Sequence, residues 1–130
     1  MSEIKNGDVS IYYEAHGNGP ALLLSHAYAA SHKMWDPQVE PIARDYKVIT
    51  WDMRGHGHSD SPEADAEYSE DKTVEDMRLI LAAEGVDRAV IGGLSLGGYM
   101  SFAFYLAHPE MVAGLLLVDT GPGYRNPEAR

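Results

Sequence analysis

The chain has 130 residues and a formal net charge of −10, which disfavours nucleic acids and anionic membrane surfaces as partners because both would repel it. A hydrophobic content of 45% is enough for one domain with a buried core, and the absence of cysteine excludes disulfides and thiolate metal sites. With no apolar signal region and no apolar run of the roughly 18 residues that cross a bilayer, we expect a soluble cytoplasmic protein with a small-molecule or protein partner.

Short apolar runs recur along the chain and predict the strands of a sheet. Residues 9–14 follow a turn signal at residues 6–8, which predicts an antiparallel hairpin at the start. Further apolar runs are unbroken rather than alternating, which is typical of parallel strands covered on both faces. These runs are residues 21–24 (ALLL), 48–51 (VITW), 89–91 (AVI) and 115–118 (LLLV).

Segments between these runs have helical spacing. Residues 31–44 and residues 73–84 each place apolar side chains on one stripe, and in the second segment Thr73 and Asp76 resemble a capping pair. The stripes are formed by Trp35, Val39 and Ile42 in the first segment and by Val74, Met77 and Leu81 in the second. Residues 96–108 are apolar almost all round, which predicts a helix buried against the centre of the sheet.

The order of these elements predicts an α/β fold with a mostly parallel sheet, an N-terminal antiparallel hairpin and flanking helices. Neither an internal repeat nor a domain boundary is visible in residues 1–130. Residues 60–71 (DSPEADAEYSED) are acidic and polar, and we expect them to form a solvated loop rather than a metal site.

The stretch Gly93-Leu94-Ser95-Leu96-Gly97 matches the pattern G-x-S-x-G between a predicted strand and a predicted helix. A serine hydroxyl is a weak nucleophile, so it must be exposed where a base can take its proton. A sharp strand-to-helix turn does this by straining the serine backbone and bringing the flanking positions so close that only glycine fits. The alternative is a tight turn without chemistry, since the bare pattern is common by chance.

Several further stretches make the chain resemble the N-terminal half of the α/β-hydrolase fold family, in its esterase-like and haloperoxidase-like branch. They include residues 25–28 (SHAY), 52–59 (DMRGHGHS) and 117–120 (LVDT), together with the predicted helix at residues 73–84. The resemblance covers essentially all 130 residues and therefore implies an incomplete α/β-hydrolase core.

By this resemblance, Ser95 is the nucleophile of a serine hydrolase that acts on a carboxylic ester or related acyl substrate through an acyl-enzyme. The backbone N–H groups of Leu96 and Tyr28 would form the oxyanion hole. The resemblance implies neither a metal nor an organic cofactor. The supporting residues that it implies are His26, Gly93, Gly97, Asp52 and Arg54, with the last two bracing their turn as a pair.

One departure from the family pattern lies in the oxyanion loop, where Ala27 stands in place of the usual glycine. If that position needs a positive φ, the alanine would cost on the order of 1 kcal/mol. The phenol of Tyr28 either contacts a substrate or packs at the edge of the pocket.

The histidine and the acid of a catalytic triad must follow the serine in this family. After Ser95 the chain offers one histidine, His108, which lies roughly 20 Å away at the far end of the predicted helix. The acids after Ser95 are Glu110, Asp119 and Glu128. Asp119 is either a structural residue or, as in a minority of the family, the catalytic acid.

The remaining histidines are not expected to catalyse or to bind a metal. His26 supports the oxyanion loop, His56 and His58 lie in a glycine-rich loop, and His16 and His32 are expected on the surface. Their spacing is not that of a metal site.

We therefore expect a fragment that lacks the cap, the later strands, the catalytic histidine and the usual acid, and that is inactive alone. Residues 123–130 fit the family's exposed connector to the cap. An uncovered edge at residues 115–118 would favour self-association or complementation with the missing half.

Two other functions remain open at this point. One is a non-catalytic binding or assembly module that retains the fold, and a weaker one is phosphate binding by residues 54–59, which lack the P-loop ending. A serine nucleophile argues against the dehalogenase and epoxide-hydrolase branches. Hydrolysis, perhydrolysis, C–C cleavage and acyl transfer all stay compatible with the motif.

Overall fold

The computed structural model describes residues 2–120, so the expectations for residues 123–130, including the acid Glu128, lie outside the described part of the chain. Strands and α-helices alternate after an initial hairpin. In chain order the elements are β1 (Ser2–Asn6), β2 (Val9–His16), β3 (Ala21–Ser25), α1 (Asp36–Ile42), β4 (Lys47–Trp51), α2 (Glu70–Ala83), β5 (Ala89–Leu94), α3 (Leu96–Ala107) and β6 (Val112–Val118). Short 3-10 helices lie at His32–Trp35, Asp65–Tyr68 and Pro109–Met111.

Within residues 2–120 the strands form one six-stranded sheet in the order β1-β2-β4-β3-β5-β6. The pairs β1/β2 and β2/β4 are antiparallel, whereas β3 pairs in parallel with β4 and β5, and β5 pairs in parallel with β6. The predicted fold class, a mostly parallel sheet with an N-terminal antiparallel hairpin and flanking helices, is confirmed.

Alternate side chains of the parallel strands pack on opposite faces of the sheet, as the pleat requires. Leu23, Ile49 and Ile91 belong to the larger core, which α2 and α3 cover. Leu22, Leu24 and Val48 form a smaller core under α1, and the predicted stripe of Trp35, Val39 and Ile42 packs there. Both faces being covered explains the unbroken apolar runs.

The first predicted helix is interrupted in the structure. Ser31 caps a 3-10 turn by accepting a hydrogen bond from the amide of Lys33 at 3.3 Å, and α1 follows with Pro37 in its first turn and Pro41 inside it. Proline lacks an amide hydrogen and suits the first turn, which explains why the α-helix begins there and stays short.

The predicted capping pair of the second helix is wrong. Helix α2 begins three residues earlier, because Ser69 is its N-cap and accepts a hydrogen bond from the amide of Lys72 at 3.2 Å. Thr73 and Asp76 are buried inside the helix instead. Residues 60–71 are mostly exposed as expected, but they include a 3-10 helix and the start of α2.

The carboxyl ends of all four parallel strands, β3, β4, β5 and β6, lie at the same end of the sheet. The candidate site lies at this end. Ser25 lies beside Trp51 and Gly93, and Leu94 lies beside Val118, so the loops that follow these strands leave together. Ligands of open α/β sheets bind at the carboxyl ends of the strands. Among residues 2–120 no helix is both long enough and apolar enough to span a membrane.

Candidate active site

Ser95 lies at the turn between β5 and α3 in a strained backbone conformation. Its φ is 54° and its ψ is −114°, in the region of positive φ that side chains with a Cβ rarely adopt. The amide of Ser95 donates to the carbonyl of Val118 at 2.8 Å, and its own carbonyl accepts from the amide of Tyr99 at 3.0 Å. The strain is therefore maintained by backbone contacts with β6 and α3.

Gly93 and Gly97 allow the close approach that this turn needs. A Cβ on Gly97 would overlap the carbonyl groups of Ser25 and His26, and a Cβ on Gly93 would overlap the backbone of Gly97 and the Ser25 carbonyl. Helix α3 therefore starts in direct contact with the loop after β3. Leu96 is the first residue of α3, where backbone N–H groups have no partner within the helix.

His26 begins the loop after β3 and is fully buried. Its Nε2 accepts the amide hydrogen of Met53 at 2.9 Å, so Nδ1 carries the proton and donates to the carbonyl of Ala27 at 2.7 Å. Burial lowers the pKa of His26 below its ordinary value, although the hydrogen bond to Ala27 opposes this effect. Neutral His26 thus connects the loop after β3 to the turn after β4 by hydrogen bonds.

The positive φ that was considered for Ala27 occurs two residues further on. Positive φ occurs at Ala29, at 61°, and Ala27 is not among the residues with positive φ. The penalty considered for Ala27 therefore does not arise. Between them, Tyr28 is 76% exposed, and its ring lies nearly perpendicular to the His56 ring, with the two centroids 5.8 Å apart.

Asp52, directly after β4, ties its own turn to the loop after β3. Its carboxylate accepts the amides of His32 at 2.7 Å and His58 at 2.9 Å, and one oxygen lies 2.9 Å from Nδ1 of His32. Burial by itself would raise the pKa of Asp52, but these hydrogen bonds outweigh it and lower the pKa. The expectation that His32 lies on the surface is wrong, because His32 is only 3% exposed.

Arg54 and Asp52 do not pair with each other, so that expectation is corrected. Nε and Nη2 of Arg54 donate to the two carboxylate oxygens of Asp76 in α2, at 2.7 and 2.9 Å. Both side chains are buried, and this two-pronged ion pair fixes the turn to α2. An acid on the mostly apolar buried side of α2 is the sequence signal that could have revealed it.

Asp119 follows β6 with a φ of 47° and is exposed. The carbonyl of its neighbour Val118 contacts the amide of Ser95, which places Asp119 next to the Ser95 turn. His108 is the C-cap of α3, roughly 20 Å along the helix axis from Ser95, and its Nδ1 lies 3.7 Å from Oε1 of Glu110. Among the residues that the structure describes, no three histidine or acidic side chains gather as metal ligands would.

Sequence reasoning named Ser95, Gly93, Gly97, Leu96, Tyr28 and His26, and the structure brings all of them to this end of the sheet. The sequence did not reveal the buried contact of His32 with Asp52 or the contact of His56 with the loop after β3, where His56 Nε2 accepts the amide hydrogen of Ala29 at 3.1 Å. Neither contact has a local sequence signal, because the partners lie 20 and 27 residues apart.

The chain is similar to known proteins in both sequence and structure. Residues 20–129 match the sequence model of the family described as "alpha/beta hydrolase fold". The chain is 35% identical over 119 residues to "Putative carbamate hydrolase RutD" of Azorhizobium caulinodans, covering 92% of this chain and 44% of that protein. It is 34% identical over 121 residues to "Fluoroacetate dehalogenase" of a Burkholderia species, covering 91% of this chain and 40% of the relative.

Among solved structures, the chain is similar to that of Est816, described as an N-acyl homoserine lactone degrading enzyme. The TM-score is 0.88 at 32% identity, and the match covers 98% of this chain and 53% of the other. The chain thus spans about half the length of the proteins that it matches.

Proposed function

The chain belongs to the α/β-hydrolase fold family, and we propose that it supplies the nucleophile of a serine hydrolase acting on a carboxylic ester or related acyl substrate. The observation that carries this proposal is the backbone of Ser95, held at a φ of 54° between Gly93 and Gly97. Such strain persists only where the surrounding structure maintains it, and it is typical of active sites.

In the proposed reaction the Oγ of Ser95 attacks the acyl carbon, and its proton passes to a general base. The substrate oxygen becomes an oxyanion, which the N–H groups of Leu96 and Tyr28 stabilise. The leaving group departs with a proton, and water then releases the acyl group from Ser95.

A serine hydroxyl at this turn favours acyl chemistry over the other reactions known among the relatives. Ester formation with an acyl group is the reaction that an activated serine performs. The names of two relatives, a carbamate hydrolase and a lactone-degrading enzyme, likewise refer to bonds between an acyl carbon and a heteroatom.

We further propose that residues 2–120 form the N-terminal part of one hydrolase domain whose later strands continue the sheet beyond β6. Within the described residues β6 is an edge strand, and its side chains Leu116, Leu117 and Val118 are 46%, 42% and 38% exposed. An apolar edge strand favours pairing with a further strand. In this proposal the continuing segment supplies the histidine base and the usual acid.

The test is labelling with a fluorophosphonate probe, applied to the 130-residue chain and to the full product of its reading frame. We expect the probe on Ser95, identified by peptide mass spectrometry, in the longer product and not in the 130-residue chain. The variant Ser95→Ala is the control and should lose the label. Labelling of Ser95 in neither protein would overturn the enzyme proposal and leave a non-catalytic binding module.

A further inference from the structure

His26 and His56 connect the oxyanion loop, residues 26–31, to the turn after β4, residues 52–59, by reciprocal hydrogen bonds. His26 belongs to the loop and accepts the amide hydrogen of Met53 from the turn, with 2.9 Å between the nitrogens. His56 belongs to the turn and accepts the amide hydrogen of Ala29 from the loop, with 3.1 Å between them. The two rings lie 4.8 Å apart, centroid to centroid.

The tautomers of both rings follow from these contacts. A backbone amide can only donate, so Nε2 of each ring must be unprotonated and Nδ1 must carry the hydrogen. Each Nδ1 then has a carbonyl to donate to, Ala27 at 2.7 Å for His26 and Arg54 at 3.2 Å for His56. Each histidine therefore bonds to its own segment through Nδ1 and to the facing segment through Nε2.

The amide of Tyr28 lies between two amides that are already engaged. The amide of Ala27 donates to Sδ of Met34 at 3.3 Å, and the amide of Ala29 donates to His56. Ala29 also has a φ of 61°, a conformation that an alanine needs outside contacts to maintain. The hydrogen bond from Ala29 to His56 is such a contact.

We propose that His56 is a positioning residue that holds the Tyr28 amide in its place in the oxyanion hole. This inference rests on the proposed function, because it assigns the Tyr28 amide a role in stabilising an oxyanion. His56 contacts the loop one residue beyond Tyr28 and does not itself touch the reacting atoms. Displacement of a positioned donor by about 1 Å can lower a rate by on the order of 100-fold.

The test uses the full-length polypeptide with the variants His56→Ala and His56→Gln. Alanine removes the acceptor of the Ala29 amide, whereas glutamine offers a side-chain oxygen that can accept the same hydrogen bond. The matched control is His58→Ala, because His58 lies in the same turn and its exposed ring packs on Tyr12 and His32 rather than on the loop.

We expect His56→Ala to lower kcat for an acyl ester by roughly 10- to 100-fold with little change in KM, since the lost interaction acts in the transition state. His56→Gln should recover most of that loss, and His58→Ala should match the parent. Equal rates for His56→Ala and His58→Ala would overturn the proposal.

Amide NMR of the same proteins gives a readout that does not depend on catalysis. In His56→Ala we expect the Ala29 amide proton to shift upfield and to exchange faster with solvent, with a smaller change in His56→Gln. An unchanged Ala29 amide would overturn the proposal even if activity fell. An inactive parent whose Ala29 amide still responds would overturn the proposed function, and with it the catalytic consequence of His56, while leaving the hydrogen bond established.

Discussion

The two sides of the candidate active site are held in place by different means. The Ser95 turn is fixed by its backbone, through hydrogen bonds to Val118 and Tyr99 and through the close approach of Gly97 to the strand β3. The facing segments, the loop at residues 26–31 and the turn at residues 52–59, are fixed by side chains such as His26 and Asp52. The conformation of the Ser95 turn therefore depends on residue size, whereas that of the facing segments depends on the charge and protonation of their side chains.

The largest expected effect comes from breaking the Arg54–Asp76 ion pair, which fixes the turn at residues 52–59 to α2. Asp76→Ala leaves the buried guanidinium of Arg54 with only the more distant carboxylate of Glu67, 3.6 Å from Nη1. Removal of one member of a buried ion pair costs about 3–5 kcal/mol. Urea denaturation should show this loss in the free energy of unfolding. The control is Glu75→Ala, because Glu75 and its partner Arg78 have side chains 40% and 36% exposed, and an exposed pair contributes less than about 1 kcal/mol. Similar losses for both variants would contradict this description.

The next largest effect is expected from a steric change at the Ser95 turn. Gly97→Ala places a methyl group against the carbonyls of Ser25 and His26, and we expect the free energy of unfolding to fall by about 1–3 kcal/mol because of overpacking. In the control Gly114→Ala, the nearest atom to the new Cβ is Cγ2 of Val90 at 3.9 Å. That change should stay within about 0.5 kcal/mol, and a larger loss than in Gly97→Ala would refute the steric explanation.

The smallest expected effect is a pH dependence of the free energy of unfolding that arises from the facing segments and not from the Ser95 turn. The pKa of His26 is lowered in the folded chain, so the unfolded chain binds a proton first as pH falls. The free energy of unfolding should be highest above the ordinary histidine pKa of about 6.5 and should decrease as pH falls from there toward the folded pKa. The lowered pKa of Asp52 acts separately, below the carboxyl value of about 4.

Urea denaturation between about pH 5 and 8 checks this prediction. His26→Gln should flatten the slope of stability against pH, because glutamine does not titrate. Gly97→Ala should keep the slope of the parent while lowering the whole curve, since it changes no ionisable group. A parent slope that survives in His26→Gln would show that another group is responsible.

The same difference explains what could be predicted from the sequence. The Ser95 turn is encoded within five consecutive residues, and the parallel strands and α3 are encoded by local apolar patterns, so both were predictable. The contacts of the facing segments join residues far apart, such as Arg54 and Asp76, which are 22 positions apart. Whether a histidine is buried, as His32 is, depends on which carboxylate the fold brings to it.

The N-terminus of α2 illustrates a local error with a physical cause. The spacing of Thr73 and Asp76 resembles a capping pair, whereas the N-cap in the structure is Ser69. Thr73 and Asp76 are instead buried in the core, where Asp76 binds Arg54. Packing overrides a capping pattern when an acid has a buried cation to bind.

The most direct test of the central proposal is to trap the acyl group on Ser95. The full-length polypeptide would be mixed with p-nitrophenyl butyrate, quenched in acid during the first turnover, digested and mapped by mass spectrometry. We predict a butyryl group on the peptide that contains Ser95 and none in Ser95→Ala. An acyl group on another side chain, or turnover that persists in Ser95→Ala, would contradict the assignment of Ser95 as the nucleophile.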